Sequence, residues 1–185
     1  MNRLIAITGP SCGGKTTLKN ELLREMGGDA VCIRTTTTRN RRVGEEHGRD
    51  YLFRSKMQFC EILDDGGFLE SVVVDGQFYG IELAELERVG ESCDTAIVVA
   101  TPSGLYSLAH WAEAHGVRLI RVLASAPVGE LRRRLQGRRG SADESEINRR
   151  LARVVDEADA WQPGQFDVLA DSDVRVAAAT IARLS

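Results

Sequence analysis

The sequence predicts an α/β fold: a five-stranded parallel sheet with helices on both faces, an inserted lobe and a helical lid. Three observations carry that prediction. Apolar runs alternate with helical patterns along the chain, as a sheet with crossover helices requires. The first apolar run passes through a glycine-rich loop directly into a helix pattern. Between residues 37 and 83 the alternation gives way to short strands and a hairpin. With 185 residues, 43% of them hydrophobic, the chain can bury one substantial core. A single domain is expected, with its core at 1–36 and 84–185, the inserted lobe at 37–83 and the lid at about 135–150.

Strands are expected at Arg3 to Thr8, Ala30 to Thr36, Thr95 to Thr101, Val117 to Ala124 and Phe166 to Ala170. The middle ones are rich in Val and Ile, as strands covered on both faces should be. From Gly104 to His115, Leu105, Leu108, Ala109 and Ala112 recur at helical spacing, and from Ser145 to Asp159 the seam is Ile147, Leu151, Val154 and Ala158. In the lobe, Tyr51 to Phe53 reads as a short strand. Ser55 with Gln58 forms a capping box that opens a helix to about Asp64. Phe68 to Val74 then pairs with Gln77 to Gly80 across a hairpin turn at Asp75 and Gly76.

A net charge of −3 and a pI near 5.7 argue against bulk nucleic acid or an anionic membrane as partner, so any anion is met at a local site. Four cysteines, Cys12, Cys32, Cys60 and Cys93, show no CxxC spacing, and no charged leader precedes the first strand. Apolar runs fall short of the roughly 18 to 20 residues of a membrane span. A cytoplasmic protein with reduced thiols is expected.

The strongest chemical signal is GPSCGGKTT, between the first strand and LKNELLREM. Gly9, Gly14, Lys15 and Thr16 complete the pattern G-x-x-x-x-G-K-[ST] in the strand, loop and helix context it needs. Glycines let the backbone wrap phosphates, so that the N–H groups of Gly9, Ser11, Cys12, Gly13, Gly14, Lys15, Thr16 and Thr17 can face oxygens at a positive helix end. Lys15 would bridge the β and γ groups, and Thr16 would ligate Mg²⁺. Lys15 is one of only three lysines among 24 basic residues. Cys12 reads as a small filler residue in the loop, although a thiol near phosphates and a helix N-terminus could be acidified and oxidisable.

A second basic cluster spans residues 129 to 151. Arg134 and Arg138 lie four apart on one helix face, and Arg150 sits beside the apolar seam. Arg132, Arg133, Arg139 and Arg149 are expected to be solvated or paired with Asp143, Glu144 and Glu146. The glycine-bounded stretch GRRGSADES reads as a mobile lid.

Taken together, these residues resemble the guanylate kinase family across nearly the whole chain. GPSCGGKTT matches its phosphate loop. Thr35, Arg39, Arg42, Gly44, Glu45, Gly48, Tyr51 and Phe53 fall at the spacing of its acceptor-binding motif. Glu70 in GGFLES, Tyr79 and Gly80 in GQFYG, and Arg134, Arg138 and Arg150 in RLQGRRG and INRRL match further elements, with one residue inserted near Arg139. The resemblance implies a P-loop NTPase-type fold and an ATP- and Mg²⁺-dependent nucleoside monophosphate kinase, with GMP or dGMP as default acceptor. It implies that Arg39, Arg42, Tyr51 and Tyr79 clasp the acceptor phosphate, and that Lys15 and the lid arginines neutralise the moving charge.

Two departures redirect the expectation. Ile81 stands where the family has a serine or threonine that helps read the guanine carbonyl, leaving Thr35 to supply a hydroxyl. Val99 and Thr101 stand where an aspartate pair is usual. A base site discriminates by about 10⁴ only when its polar groups are paired, so these losses should loosen acceptor choice. Glu70 can accept from guanine N1–H and the amino group, or from N3–H of a pyrimidine. Ile81 adds apolar bulk that a substituted base could use, and Ile81→Ser is expected to improve guanine nucleotides by about 0.5 to 1.5 kcal/mol. Alternatives are a modified or pyrimidine deoxynucleotide, a phosphorylated ribose, or a binding module without chemistry; the complete phosphate loop and lid arginines speak for chemistry.

Overall fold

The structure, a computed structural model, describes residues 1–137, 144–156, 163–171 and 173–184. Its elements are β1 (Arg3–Thr8), α1 (Lys15–Met26), β2 (Ala30–Cys32), β3 (Thr36–Thr37), β4 (Leu52–Phe53), α2 (Lys56–Asp64), β5 (Phe68–Val74), β6 (Gln77–Glu82), α3 (Leu83–Ser92), β7 (Thr95–Val99), α4 (Pro102–Ala114), β8 (Arg118–Ala124), α5 (Val128–Gln136), α6 (Glu144–Asp156), β9 (Val168–Ala170) and α7 (Val174–Ala182). A five-stranded parallel sheet has the order β2-β7-β1-β8-β9, and a four-stranded sheet the order β4-β3-β6-β5. The predicted α/β architecture is present. Among the described residues no helix is long and apolar enough to cross a membrane, and none of the four cysteines is in a disulfide.

The chain divides into two compact units, residues 1–6 with 28–119 and residues 7–27 with 120–185. The first has a core of Leu4, Ala6, Ile33, Ile81, Leu86, Val89, Ala96, Val98 and Leu108, drawn from strands and from one face of α3 and α4. Its small sheet follows local rules. Ser55 and Gln58 form the expected reciprocal capping box and start α2. Asp75 and Gly76, at φ 51° and 73°, make the tight turn that joins β5 to β6. Phe59 of α2, fully buried, stacks on Phe68 with ring centroids 4.4 Å apart. In the second unit α1 packs on α7, and α5 on α6 through Leu131, Leu135, Ile147 and Leu151.

Several boundaries differ from the sequence reading. The strand expected at Ala30 to Thr36 is two strands in different sheets: β2 pairs with β7, and β3 pairs with β6 and β4. Arg34 marks the crossing, because its guanidinium grips the buried Glu85 carboxylate of α3 with two bonds of 2.6 and 2.8 Å. The strand expected through Thr101 stops at Val99, since Thr101 caps α4 and Pro102 begins it. Phe166 precedes β9 rather than opening it, and Ala158 and Asp159 lie outside the described residues.

Glu85 is the buried anchor of this unit. Burial pushes its carboxyl up, but hydrogen bonds from Arg88 and Arg34 outweigh that and hold its pKa at about 2, against 4.5 ordinarily. A folded pKa below the unfolded one stabilises fully above pH 4.5, and the contribution is lost as pH falls toward 2. Wild type should therefore lose up to about 3 kcal/mol across that window through this group. Denaturant titrations at several pH values should show a shallower slope for Glu85→Gln; equal slopes would refute the assignment.

Candidate active site

In the second unit the phosphate loop is shaped by how closely its backbone runs past β8. A Cβ at Gly9 would lie 2.0 Å from the Ala124 carbonyl oxygen, and one at Gly13 2.5 Å from the same atom, so only glycine fits. The loop closes with Gly13 N–H donating to the Pro10 carbonyl at 3.0 Å, and Cys12 takes a left-handed φ of 62°. Gly14, at φ 99°, precedes α1 without any side-chain cap. The first-turn N–H groups of α1 are thus left for an outside acceptor, which is the requirement of a phosphate site. Lys15 folds back to donate from Nζ to the carbonyls of Gly9 and Pro10 at 2.6 and 2.8 Å. Ser11 and Cys12 are half-buried, and Thr16 and Thr17 are exposed on the first turn. The loop could hold a phosphate chain, and the exposed Thr16 hydroxyl is the group that could ligate a Mg²⁺ beside it.

Arg134 of α5 approaches this loop. Its Nη1 donates to the Cys12 carbonyl at 3.2 Å, while Nε donates to Glu130 at 2.7 Å. The hydrogen bond from Arg134 lowers the Glu130 carboxyl, with Arg133 adding to it. Cys12 and Val154 pack against the α5–α6 seam, which carries the half-buried Arg150. Arg132 bridges to Glu144, as expected, and to Asn148, both at 2.6 Å, whereas the exposed Arg133 pairs with Glu130, a partner the sequence reading did not name. Arg138, together with 139–143 of the lid, lies outside the described residues.

In the first unit the acceptor-type residues gather on the small sheet. Glu45 takes two bonds from Arg39 Nη2, at 2.9 and 3.0 Å, and one from the Arg42 backbone N–H at 2.8 Å, folding the acidic end of the loop onto its basic start. Arg39 also lies over the Tyr51 ring at 5.5 Å, and Tyr51 meets Tyr79 edge-on at 6.5 Å. Burial opposes the Arg39 charge, but Glu45 and Tyr79 raise its pKa overall; burial, then Tyr79, raises that of the Tyr51 phenol. The result is a charged guanidinium beside two phenol hydroxyls, a donor set suited to a phosphate. The Arg42 side chain is exposed beside it, and Thr35 is half-buried, its carbonyl accepting from Leu52 N–H at 3.0 Å.

Ile81 requires a correction. Its register partner is Glu70, but its side chain is only 1% exposed and belongs to the core with Leu4, Leu86 and Leu108. It offers an incoming base no apolar surface, because its bulk is already spent on packing. Ile81→Ser would leave a cavity and an unpaired hydroxyl, and is expected to destabilise the protein by about 3 to 5 kcal/mol rather than improve an acceptor. Thermal or denaturant unfolding checks this; stability within about 1 kcal/mol of wild type would place Ile81 outside the core.

Sequence reasoning missed the partners of Glu70. Thr101 and Ser103 both donate to it. The signal is in the sequence, since Thr-Pro after a strand marks a helix cap, but the missing aspartate at position 101 masks it.

Comparison with known proteins agrees with this geometry. The guanylate kinase family model matches residues 1–183. A guanylate kinase of Chlamydia felis is 32% identical over 170 residues, covering 91% of this chain and 80% of its own. One of Homo sapiens is 30% identical over 172 residues, covering 92% and 85%. The crystal structure of guanylate kinase from Anaplasma phagocytophilum superposes with a TM-score of 0.72 at 23% identity, over 99% of this chain and 84% of that one. A phosphate loop shaped by Ala124, an arginine and phenol cluster on a small sheet, and matches spanning the chain converge: it belongs to the guanylate kinase family of nucleoside monophosphate kinases.

Proposed function

We propose that this protein transfers the γ-phosphoryl group of ATP to the phosphate of GMP or dGMP in the cytoplasm. The observation that carries the reading is that Arg39, Tyr51, Tyr79 and Glu70 all belong to the four-stranded sheet or its loops. A charged guanidinium and two phenols meet a phosphate, and a carboxylate meets the donor edge of a base. The guanylate kinase relatives support guanine as that base.

Phosphoryl transfer needs positioning and charge stabilisation more than covalent chemistry. The N–H groups at the start of α1 and Lys15 hold the donor phosphates, Arg39 with Arg42 and the phenols holds the acceptor phosphate, and Arg134, Arg138 and Arg150 neutralise charge on the transferred group. Mg²⁺ held by Thr16 would supply further charge neutralisation. Exclusion of water from the site keeps it from accepting the phosphoryl group in place of the acceptor.

The test is an acceptor screen: ATP, Mg²⁺ and each common ribo- and deoxynucleoside monophosphate, with ADP release followed. GMP or dGMP should give the highest kcat/KM. A pyrimidine or modified nucleotide in first place would replace the acceptor, and ADP release independent of any acceptor would overturn the reading.

A further inference from the structure

Glu70, on β5, is held by the segment that leads into α4. Thr101 Oγ1 donates to Glu70 Oε1 at 3.0 Å, and Ser103 Oγ donates to the same oxygen at 2.7 Å. The two hydroxyl oxygens are 3.1 Å apart, and with each proton turned to the carboxylate they fill both lone pairs of Oε1. The Thr101 hydroxyl is itself fixed, because it accepts from Gly104 N–H at 3.0 Å as the cap of α4. Oε2 lies against Gly104, where a Cβ would come within 3.1 Å of it. Among the described residues no group donates to Oε2.

We propose that Thr101 and Ser103 are specificity-determining positioning residues: by filling Oε1 they leave Oε2 as the single oxygen with which Glu70 reads the acceptor base. This rests on the acceptor-reading role of Glu70 proposed above. Guanine presents two neighbouring donors, N1–H and the exocyclic amino group, and a free carboxylate meets them with one oxygen each. The clamp forces both onto Oε2 or displaces a hydroxyl. The lone N3–H of uracil or thymine needs Oε2 alone and is unaffected. The two hydroxyls therefore narrow the gap between guanine and single-donor bases, at the place where the aspartate pair is missing.

The experiment compares equilibrium Kd values for GMP and UMP, measured by titration calorimetry, in wild type and variants. Ser103→Ala, which removes a hydroxyl without touching the helix cap, should raise the preference for GMP over UMP by roughly three- to tenfold, the scale of one hydrogen bond. Thr101→Val should act in the same direction, whereas Thr101→Ser, which keeps both roles of the hydroxyl, should match wild type. In a Glu70→Gln background Ser103→Ala should no longer change the ratio, which a merely structural effect would not predict. An unchanged or reduced preference in Ser103→Ala, while Glu70→Gln alone does shift the ratio, overturns the clamp and leaves the acceptor reading standing. No shift in Glu70→Gln overturns both.

Discussion

Lys15→Ala is expected to abolish phosphoryl transfer, lowering kcat by about 10³ or more, while the protein stays folded. Lys15 contributes nothing to an apolar core. Its Nζ is bonded to the carbonyls of Gly9 and Pro10 at 2.6 and 2.8 Å, so what it stabilises is the loop that carries it. Those two acceptors hold the ammonium at the phosphate loop, and a bound phosphate chain competes for it with full negative charge. Moving the ammonium from neutral carbonyls to phosphate oxygens replaces weaker hydrogen bonds by charge-assisted ones, and that gain grows as charge builds on the leaving oxygen. Removing the side chain leaves two carbonyls at a half-exposed site, where water can replace the donor, so thermal unfolding should change little. The paired measurement is transfer to the best acceptor alongside thermal melting. Activity within tenfold of wild type would refute the kinase mechanism, and a collapse in melting temperature would instead show that Lys15 holds the fold.

Features set by short-range geometry were legible in the sequence. The phosphate loop is legible from its own spacing, Gly9 through Thr16, even though the contact that demands glycine at Gly9 and Gly13 is with the distant Ala124 carbonyl. The capping box of Ser55 and Gln58 and the turn at Asp75 and Gly76 are equally local, each closed within four residues. Features set by distant partners were not legible. Whether Ala30 to Thr36 is one strand or two depends on Tyr79 and Gly80, with which β3 pairs, and on Glu85, which draws Arg34 aside. Ile81 looked like a lining residue because its position in the motif was visible and its neighbours Leu4 and Leu108 were not. Thr101 was read by the carboxylate it lacks, whereas its hydroxyl serves a helix cap and a glutamate from another strand at once.

Replacement of Arg134 by alanine should lower kcat by roughly 10² to 10⁴ and raise KM for ATP far less, the pattern of a group that acts chiefly in the transition state. Arg150→Ala should behave likewise, from its half-buried place beside the α5–α6 seam. For Arg134 the geometry supplies the argument. Glu130 fixes Nε, which leaves the outer nitrogens to point away from the ion pair, and Nη1 reaches the Cys12 carbonyl on the phosphate loop. That orientation holds a planar guanidinium fork at the phosphate loop. Arg134→Lys should recover only part of the rate, since an ammonium retains the charge and loses the fork. Glu130→Gln should cost less than Arg134→Ala, because it loosens the guanidinium without removing it. The competing account is a surface ion pair between Arg134 and Glu130, which is worth at most about 1 kcal/mol and has no reason to affect the chemical step. Single-turnover rapid quench separates that step from product release. A single-turnover rate within about twofold of wild type in Arg134→Ala would reduce Arg134 to that ion pair and remove it from the catalytic group.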